Sequence, residues 1–181
     1  MLKISDEIFK SLDLRLQDKV NALGITYVGI EYDLLIYCGY RSIEEQNKLF
    51  CSSRRVDQIQ LKVDSLRAQK YPKLAQQLLV VANSILDNYA LRKVQRPLIK
   101  AVTNAAGGES YHNYGLAIDA VPVLYGKALC DDQKKYQEYG SYVSLLGLEW
   151  AGSWSSFREY PHAQIAGLLI DNLMKVLEDS L

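Results

Sequence analysis

The chain has 181 residues, with 21 basic and 21 acidic side chains and a formal net charge of zero. This length suits one domain with a buried core, and the balanced charge gives no electrostatic sign of a nucleic-acid partner. The three cysteines lack CxxC spacing, so we expect reduced thiols rather than a disulfide framework or a structural zinc cluster. The N-terminus is too mixed for a signal peptide, and no stretch approaches the ~20 apolar residues of a membrane span. We therefore expect synthesis in the cytoplasm and delivery to any external target by a separate route.

The N-terminal part of the chain predicts helices around one short strand. The first 23 residues carry an apolar stripe in two helical pieces, and 33–39 is a short apolar run typical of a buried strand. Ser42 with Glu45 three residues later makes a capping box, which predicts a helix running to about residue 50. Arg41 would then lie at a strand-to-helix junction, where its side chain can point into a cleft.

Residues 56–90 follow a helical period almost throughout, and Pro72 lies near the start of the second helix of this region. The apolar face of the first helix is predicted to comprise Val56, Ile59, Val63 and Leu66. No residue here carries obvious chemistry, so we interpret the region as a packing elaboration, with a lid or a partner surface as the alternative. The 13 tyrosines of the chain also leave two interpretations, of which we favour core packing over a groove for polar chains.

The second half of the chain predicts a mixture of turns, short strands and helices. The run 99–103 leads into a turn at Gly107 and Gly108. We then expect a core strand at 116–123 and a helix from after Asp132 to about Gly147. A brief strand at 148–150 and a final helix from Ile165 to Leu177 follow.

The two histidines of the chain, His112 and His162, each have a carboxylate in their own segment. Two imidazoles with carboxylates are the inventory of a catalytic zinc site, in which three protein ligands leave a fourth position for water. A turn around 113–115 followed by a strand would bring His112 beside Asp119, whose buried carboxylate needs a cation or a hydrogen-bond network. The alternative is that Asp119 pairs with a basic side chain and His112 is only a turn residue.

Glu159 precedes His162 by three residues, but Pro161 excludes the helical ExxH arrangement of other zinc enzymes. A tight turn can still bring both side chains to one point. The alternative is an exposed turn with a solvated glutamate. Because both histidines occur beside carboxylates, we favour the metal site and predict metal-assisted hydrolysis.

Three motifs carry a family resemblance. SxHxxGxAxD at 110–119, WAGSW at 150–154 and ExPH at 159–162 together resemble the D-alanyl-D-alanine carboxypeptidase family of zinc peptidases. The stretch 102–119 is similar to the endolysin-type branch of that family, the L-alanyl-D-glutamate endopeptidases. Tyr40-Arg41-Ser42 with Gln46 resembles the upstream arginine motif of the family.

The resemblance implies a role for each site residue. The ligands of a Zn2+ ion would be His112, Asp119 and His162. Glu159 would act as the general base, and Arg41 would hold the scissile carbonyl oxygen and its developing negative charge. The residues lining the substrate groove would be Ser110 and Trp154. This chemistry is coherent, since zinc activates a water molecule and a cationic donor stabilises an oxyanion.

The implied fold is α+β, with a small, mostly antiparallel sheet flanked by helices, as in the zinc peptidase and hedgehog-like domains. We expect a single domain over 1–181 with a helical elaboration at about 56–90. The implied protein is a monomer that hydrolyses the peptide stem of peptidoglycan, with the L-Ala-D-Glu bond preferred. The alternatives are a D,D-carboxypeptidase or dipeptidase acting on D-Ala-D-Ala termini, and an inactive, metal-stabilised binding module like the hedgehog signalling domains. Glu159 and Arg41 speak against the inactive module, because a structural metal needs neither.

The sequence departs from the family pattern at three places. It has Ala151-Gly-Ser-Trp154 where related sequences often have Gly-Gly-Asp-Trp, and Ala163 where an aromatic residue usually follows the last histidine. The segment between 46 and 102 is long. None of these departures removes a predicted ligand, but each can reshape the substrate groove.

Overall fold

The structure is a computed structural model that describes residues 1–27, 31–92 and 102–181, with the backbone alone at 87–92. Most of the run predicted to lead into the Gly107-Gly108 turn, residues 99–101, lies outside the described residues. None of the helices in the described ranges is long and apolar enough to cross a membrane.

The chain forms two compact units. The sheet unit comprises Met1–Tyr40 and Tyr114–Leu168, and the helical unit comprises Arg41–Asn113 and Leu169–Leu181. The single domain with a helical elaboration stays a prediction. All three cysteines are described and none forms a disulfide, as the sequence predicts.

Helices and short strands alternate along the chain. The strands are β1 (Leu2–Lys3), β2 (Asp33–Cys38), β3 (Ala117–Leu124), β4 (Lys127–Ala128), β5 (Leu148–Trp150) and β6 (His162–Ile165). The helices are α1 (Asp6–Ser11), α2 (Leu14–Thr26), α3 (Ile43–Ser52), α4 (Val56–Ala68), α5 (Pro72–Arg92), α6 (Gln133–Leu145) and α7 (Ile170–Ser180). Short 3₁₀ turns lie at Tyr111–Tyr114 and Ala151–Ser153.

The sheet unit is built on one sheet with the strand order β1-β2-β3-β6-β5, and β4 pairs with β3. β1 runs parallel to β2, whereas the other pairs are antiparallel. The prediction of an α+β fold with a mostly antiparallel sheet is therefore confirmed. β3 is central and buried on both faces over most of its length, which explains its nearly continuous apolar sequence.

Side-chain caps and apolar stripes explain the helices of the sheet unit. Asp13 caps α2 by accepting a hydrogen bond from the Arg15 N–H at 3.0 Å, and Asp132 caps α6 through the Lys135 N–H at 3.1 Å. The predicted stripe of the N-terminal helices is buried, at Leu12, Leu16, Val20 and Leu23. Four tyrosines complete this core, which confirms the core interpretation for Tyr27, Tyr32, Tyr136 and Tyr139.

The helical unit has its own core, formed by α3, α4, α5 and α7. The capping box of Ser42 and Glu45 is present at the start of α3, as predicted. The core includes Phe50, Ile59, Leu66, Leu74, Leu78 and Met174. Val56, which the sequence places on the apolar face of α4, is the first residue of that helix and is 56% exposed. The buried Glu178 of α7 accepts hydrogen bonds from the Lys73 and Leu74 N–H groups at the start of α5, at 2.6 and 2.9 Å.

The last helix differs from its prediction. It begins at Ile170 rather than Ile165, because residues 162–165 form β6 and pair with β3 on one side and β5 on the other. Neither β6 nor the two-residue strand β1 was predicted. The apolar residues of 165–169 follow a helical period, so the sequence favours a helix there. The strands that pair with β6 are distant in sequence, so no local pattern indicates the strand.

The Trp150 indole is enclosed by two glycines of the sheet unit. A β-carbon on Gly140 of α6, or on Gly152 of the following 3₁₀ turn, would overlap the indole ring. The indole N–H donates to the Tyr160 carbonyl at 2.8 Å, which ties the end of β5 to the segment before β6. Close packing of this ring therefore positions the loop that carries Glu159.

We expect Gly140→Ala to lower the free energy of unfolding by about 1–3 kcal/mol, because the new methyl group must displace the indole. Gly24→Ala is the matched control, since a β-carbon there meets Leu2 at an ordinary 3.4 Å. This change in the interior of α2 should raise the free energy of unfolding by about 0.5–1 kcal/mol. Urea denaturation measures both effects, and equal stabilities for the two variants would contradict the packing described for Trp150.

Candidate metal and hydrolytic site

Asp119 and His162 lie opposite each other in the sheet unit. β3 pairs with β6 so that Asp119 is the cross-strand partner of His162, and directly opposed residues present their side chains on the same face. The His162 Nδ1 lies 3.2 Å from the Asp119 Oδ1, and the two side chains are 8% and 16% exposed. An imidazole nitrogen and a carboxylate oxygen thus meet in a largely desolvated place.

The surroundings of Asp119 in the sheet unit are rich in neutral groups. Burial, followed by the negative charge of Asp119, raises the pKa of the Tyr37 and Tyr139 phenols, so both stay neutral at physiological pH. On β2, Cys38 pairs with Asp119 across the sheet, and its sulfur lies within 4.8 Å of a carboxylate oxygen. A carboxylate in such a place is stabilised by a nearby cation.

A hydrogen-bond chain continues from His162 to the edge of the sheet. The His162 Nε2 lies 3.0 Å from the Gln164 Oε1, and the Gln164 amide donates to the Glu149 Oε2 at 3.1 Å. The Trp154 indole N–H donates to the other oxygen of Glu149 at 2.7 Å. The Trp154 ring also packs beside the His162 ring, with centroids 5.8 Å apart.

The sequence-based prediction missed Gln164 and Glu149. The available signal was the spacing of His162 and Gln164, since residues two apart share one face of a strand. The apolar period that begins at Ile165 favours a helix and hides this spacing.

Glu159 lies in a tight turn before His162. The His162 N–H donates to the Glu159 carbonyl at 3.1 Å, and the Glu159 N–H donates to the Ala151 carbonyl at 3.4 Å. Glu159 is half-buried in this turn. This turn fixes the backbone of the predicted general base relative to His162.

His112 and Arg41 are brought together in the helical unit. His112 is 2% exposed and lies on the 3₁₀ turn of residues 111–114. Its carbonyl accepts a hydrogen bond from the Arg41 N–H at 3.0 Å. Its own N–H donates to the Ser110 Oγ at 3.4 Å, which places the predicted groove residue Ser110 next to it.

The Arg41 guanidinium is held by an amide. Its Nη1 donates to the Gln46 Oε1 at 2.8 Å, and the fully buried Gln46 in turn donates to the Ala105 carbonyl at 2.8 Å. The two acidic neighbours bind other groups: Glu45 accepts from Ser42, and Glu44 pairs with Lys48. Arg41 thus donates to a buried amide that is itself held by the backbone.

Asn113 is a further residue that the sequence-based prediction missed. Its buried side chain accepts from the Gly108 N–H at 2.8 Å and donates to the Arg41 carbonyl at 2.8 Å. One amide thus links the glycine turn, the Arg41 junction and the His112 turn. A lone Asn in a turn carries no sequence signal that distinguishes this role from ordinary turn formation.

The donor chemistry of the predicted ligands fits zinc. The predicted ligands are one carboxylate, that of Asp119, and two imidazoles, those of His112 and His162. Nitrogen and oxygen donors of these kinds make up three-ligand catalytic zinc sites. The contact between the His162 Nδ1 and the Asp119 Oδ1 is the observation that supports this fit.

Residues 103–165 match the model of a family described as D-alanyl-D-alanine carboxypeptidase. The predicted family resemblance is confirmed. The matched segment includes all three predicted ligands, together with Ser110, Trp154 and Glu159, whereas Arg41 lies outside it.

Known relatives are similar over part or most of the chain. The chain is 41% identical to the peptidoglycan L-alanyl-D-glutamate endopeptidase CwlK of Bacillus subtilis (strain 168) over 73 residues, which are 35% of this chain and 44% of that relative. The match therefore spans less than half the length of this curated relative.

Two solved structures are similar at low sequence identity. One is the L-Ala D-Glu endopeptidase ChiX of Serratia marcescens, with 14% identity, a TM-score of 0.47 and coverage of 92% of this chain and 90% of that chain. The other is the vancomycin resistance D,D-pentapeptidase VanY in complex with Zn(II), with 17% identity, a TM-score of 0.47 and coverage of 94% and 80%.

We expect Asn113→Ala to lower the free energy of unfolding by about 1–3 kcal/mol, because the Gly108 N–H and the Arg41 carbonyl would lose a buried partner. Asn83→Ala, an exposed position on α5, is the control in the same unit and should change stability by less than about 0.5 kcal/mol. Thermal or urea unfolding measures the difference. A variant at position 113 as stable as this control would show that the amide does not hold these segments.

Proposed function

We propose that the protein is a zinc-dependent peptidase that hydrolyses the peptide stem of peptidoglycan, with the L-Ala-D-Glu bond preferred. The observation that carries the proposal is the contact of His162 with Asp119, because it lies inside the segment that matches the peptidase family. The partial identity with CwlK, an L-alanyl-D-glutamate endopeptidase, supports the choice of bond. The protein would act as a monomer on the cell wall, which it would reach after release or by a separate export route.

The zinc would be held by His112, Asp119 and His162. When bound, it supplies an activated water molecule and polarises the scissile carbonyl. Glu159 would accept a proton from the attacking water and pass it to the leaving amine. Its fixed turn before His162 supports this role, since a general base must lie within hydrogen-bond reach of the proton that it takes.

Three further residues would bind the substrate. Arg41 would donate to the carbonyl oxygen as negative charge develops there, and its contact with the buried Gln46 would limit its motion beforehand. Ser110 and Trp154 would line the groove. Both lie next to a predicted ligand, Ser110 beside His112 and Trp154 beside His162.

The second candidate is hydrolysis of D-Ala-D-Ala termini. The description of the matched family, D-alanyl-D-alanine carboxypeptidase, favours it. The same residues would serve both reactions, because the chemistry of amide hydrolysis is the same and the groove selects the bond. The changed residues at 151–153 and at 163 bear on that selection.

Digestion of purified muropeptides with mass analysis of the new ends tests the proposal. The zinc-loaded protein should release L-alanine-ended fragments, and a chelator should stop the reaction. Release of terminal D-alanine would decide for the second candidate. Zinc binding without any cleavage would decide for an inactive binding module.

We expect Glu159→Gln to retain zinc and to lower the rate of hydrolysis by about 10²–10⁴, because the water loses its base while the ligands remain. Metal analysis and muropeptide turnover measure the two properties on one sample. Glu7→Gln, an exposed change on α1, is the control and should leave both unchanged. Near-normal turnover in the zinc-loaded variant at 159 would show that another group is the base.

We expect Arg41→Ala to lower kcat by about 10² or more, with zinc content and folding unchanged, because the guanidinium would act mainly as the oxyanion forms. Arg41→Lys should restore part of the activity, since an ammonium group cannot reproduce the planar fork of donors. Steady-state kinetics separates kcat from KM. Arg67→Ala on α4 removes a charge from the same unit and serves as the control, so equal kinetics for the two alanine variants would remove Arg41 from the mechanism.

A further inference from the structure

Four polar side chains of the site share one face of the sheet. Asp119 is opposite His162 across β3 and β6, and Glu149 is opposite Gln164 across β5 and β6. His162 and Gln164 are two residues apart on β6 and therefore point the same way. His162 and Gln164 are both buried, so their polar atoms depend on one another rather than on solvent.

The direction of each hydrogen bond in this group follows from Glu149. A carboxylate only accepts hydrogen bonds, and an indole nitrogen only donates them. One oxygen of Glu149 accepts from the Trp154 N–H at 2.7 Å, and the other lies 3.1 Å from Gln164. Gln164 must therefore turn its NH₂ group toward Glu149, and its carbonyl oxygen must face the other way.

The orientation of Gln164 fixes the chemistry of the His162 ring. The Gln164 Oε1 lies 3.0 Å from the His162 Nε2, and a carbonyl oxygen can only accept. Nε2 must therefore carry a proton, since an unprotonated nitrogen would bring two acceptors together. In a neutral ring the basic nitrogen is then Nδ1, which lies 3.2 Å from the Asp119 carboxylate. Both of these groups are acceptors, and a cation bound between them makes their contact favourable.

We propose that Gln164, oriented by Glu149, is a positioning residue that keeps Nε2 of His162 protonated and presents Nδ1 to a metal ion shared with Asp119. The part concerning the metal rests on the proposed function, whereas the protonation of Nε2 rests on the contacts alone. Partners of this kind fix the tautomer and the ring orientation of metal-binding histidines, and their loss typically lowers metal affinity about 10–100-fold.

A change of one atom at position 149 tests the proposal. In Glu149→Gln, the new carbonyl accepts from Trp154 and the new NH₂ faces Gln164. Gln164 must then rotate by half a turn, which places its own NH₂ against the His162 Nε2. We expect zinc affinity to fall about 10–100-fold, because Nε2 is now required as an acceptor and Nδ1 takes the proton.

The double variant Glu149→Gln with Gln164→Glu is the matched rescue. The amide and the carboxylate exchange places, so position 149 again accepts from Trp154 and position 164 again accepts from the His162 Nε2, and only the bond between 149 and 164 reverses its direction. Zinc affinity should recover most of the loss. Asp131→Asn is the control for charge, since it removes one exposed carboxylate from the same unit and should leave affinity unchanged.

The readouts are zinc affinity, by competition with a chelator, and the protonation of the His162 nitrogens, by ¹⁵N NMR of histidine-labelled protein at mildly alkaline pH. The chain has two histidines, so His162→Gln assigns the signals. In the natural protein Nε2 should be protonated with and without zinc, and in the single variant it should not. Unchanged protonation and affinity in Glu149→Gln, or no recovery in the double variant, would overturn the proposal.

The same samples separate this inference from the proposed function. Zinc binding through the His162 Nδ1 without muropeptide cleavage would contradict the peptidase but support the positioning role. Cleavage that survives with an unchanged His162 spectrum in Glu149→Gln would support the peptidase and contradict the positioning role.

Discussion

The register of β3 against β6 is the constraint on which the candidate site depends. It sets Asp119 opposite His162, and the neighbouring pairing of β5 with β6 sets Glu149 opposite Gln164. Because side chains alternate along a strand, a shift of one residue would turn His162 and Gln164 to the other face of the sheet. Asp119 is the one charged residue of β3, so the same shift would also separate its carboxylate from the imidazole.

The buried polar groups around His162 are stable because each of them has its hydrogen-bond partners, not because there are many of them. Each oxygen of Glu149 has a donor, and the Gln164 amide uses both its ends. A partly satisfied buried network would destabilise the fold, so the loss of one member has effects beyond a single hydrogen bond. The enclosed Trp150 contributes in a different way, because its packing fixes the backbone on which Trp154 and Glu159 lie.

The elements with local signals were predictable from the sequence. The capping box of Ser42 and Glu45, the apolar stripe of α2 and the core strand β3 depend on neighbouring residues, and the structure confirms all three. β1 and β6 were not predicted, since strands of two and four residues have no period of their own. For a related reason, the sequence did not predict the roles of Gln164, Glu149 and Asn113. Each role depends on partners that the fold brings together from other segments.

The two tryptophans of the chain, Trp150 and Trp154, are both part of this corner of the sheet unit. One is enclosed by glycines, and the other donates its N–H to a carboxylate while its ring packs beside an imidazole. Tyr160 lies in the same corner, with its ring centroid 6.1 Å from that of Trp150. When tryptophan is excited selectively, its emission therefore comes from the neighbourhood of His162. The intrinsic fluorescence of the protein consequently reports on this corner and needs no attached dye.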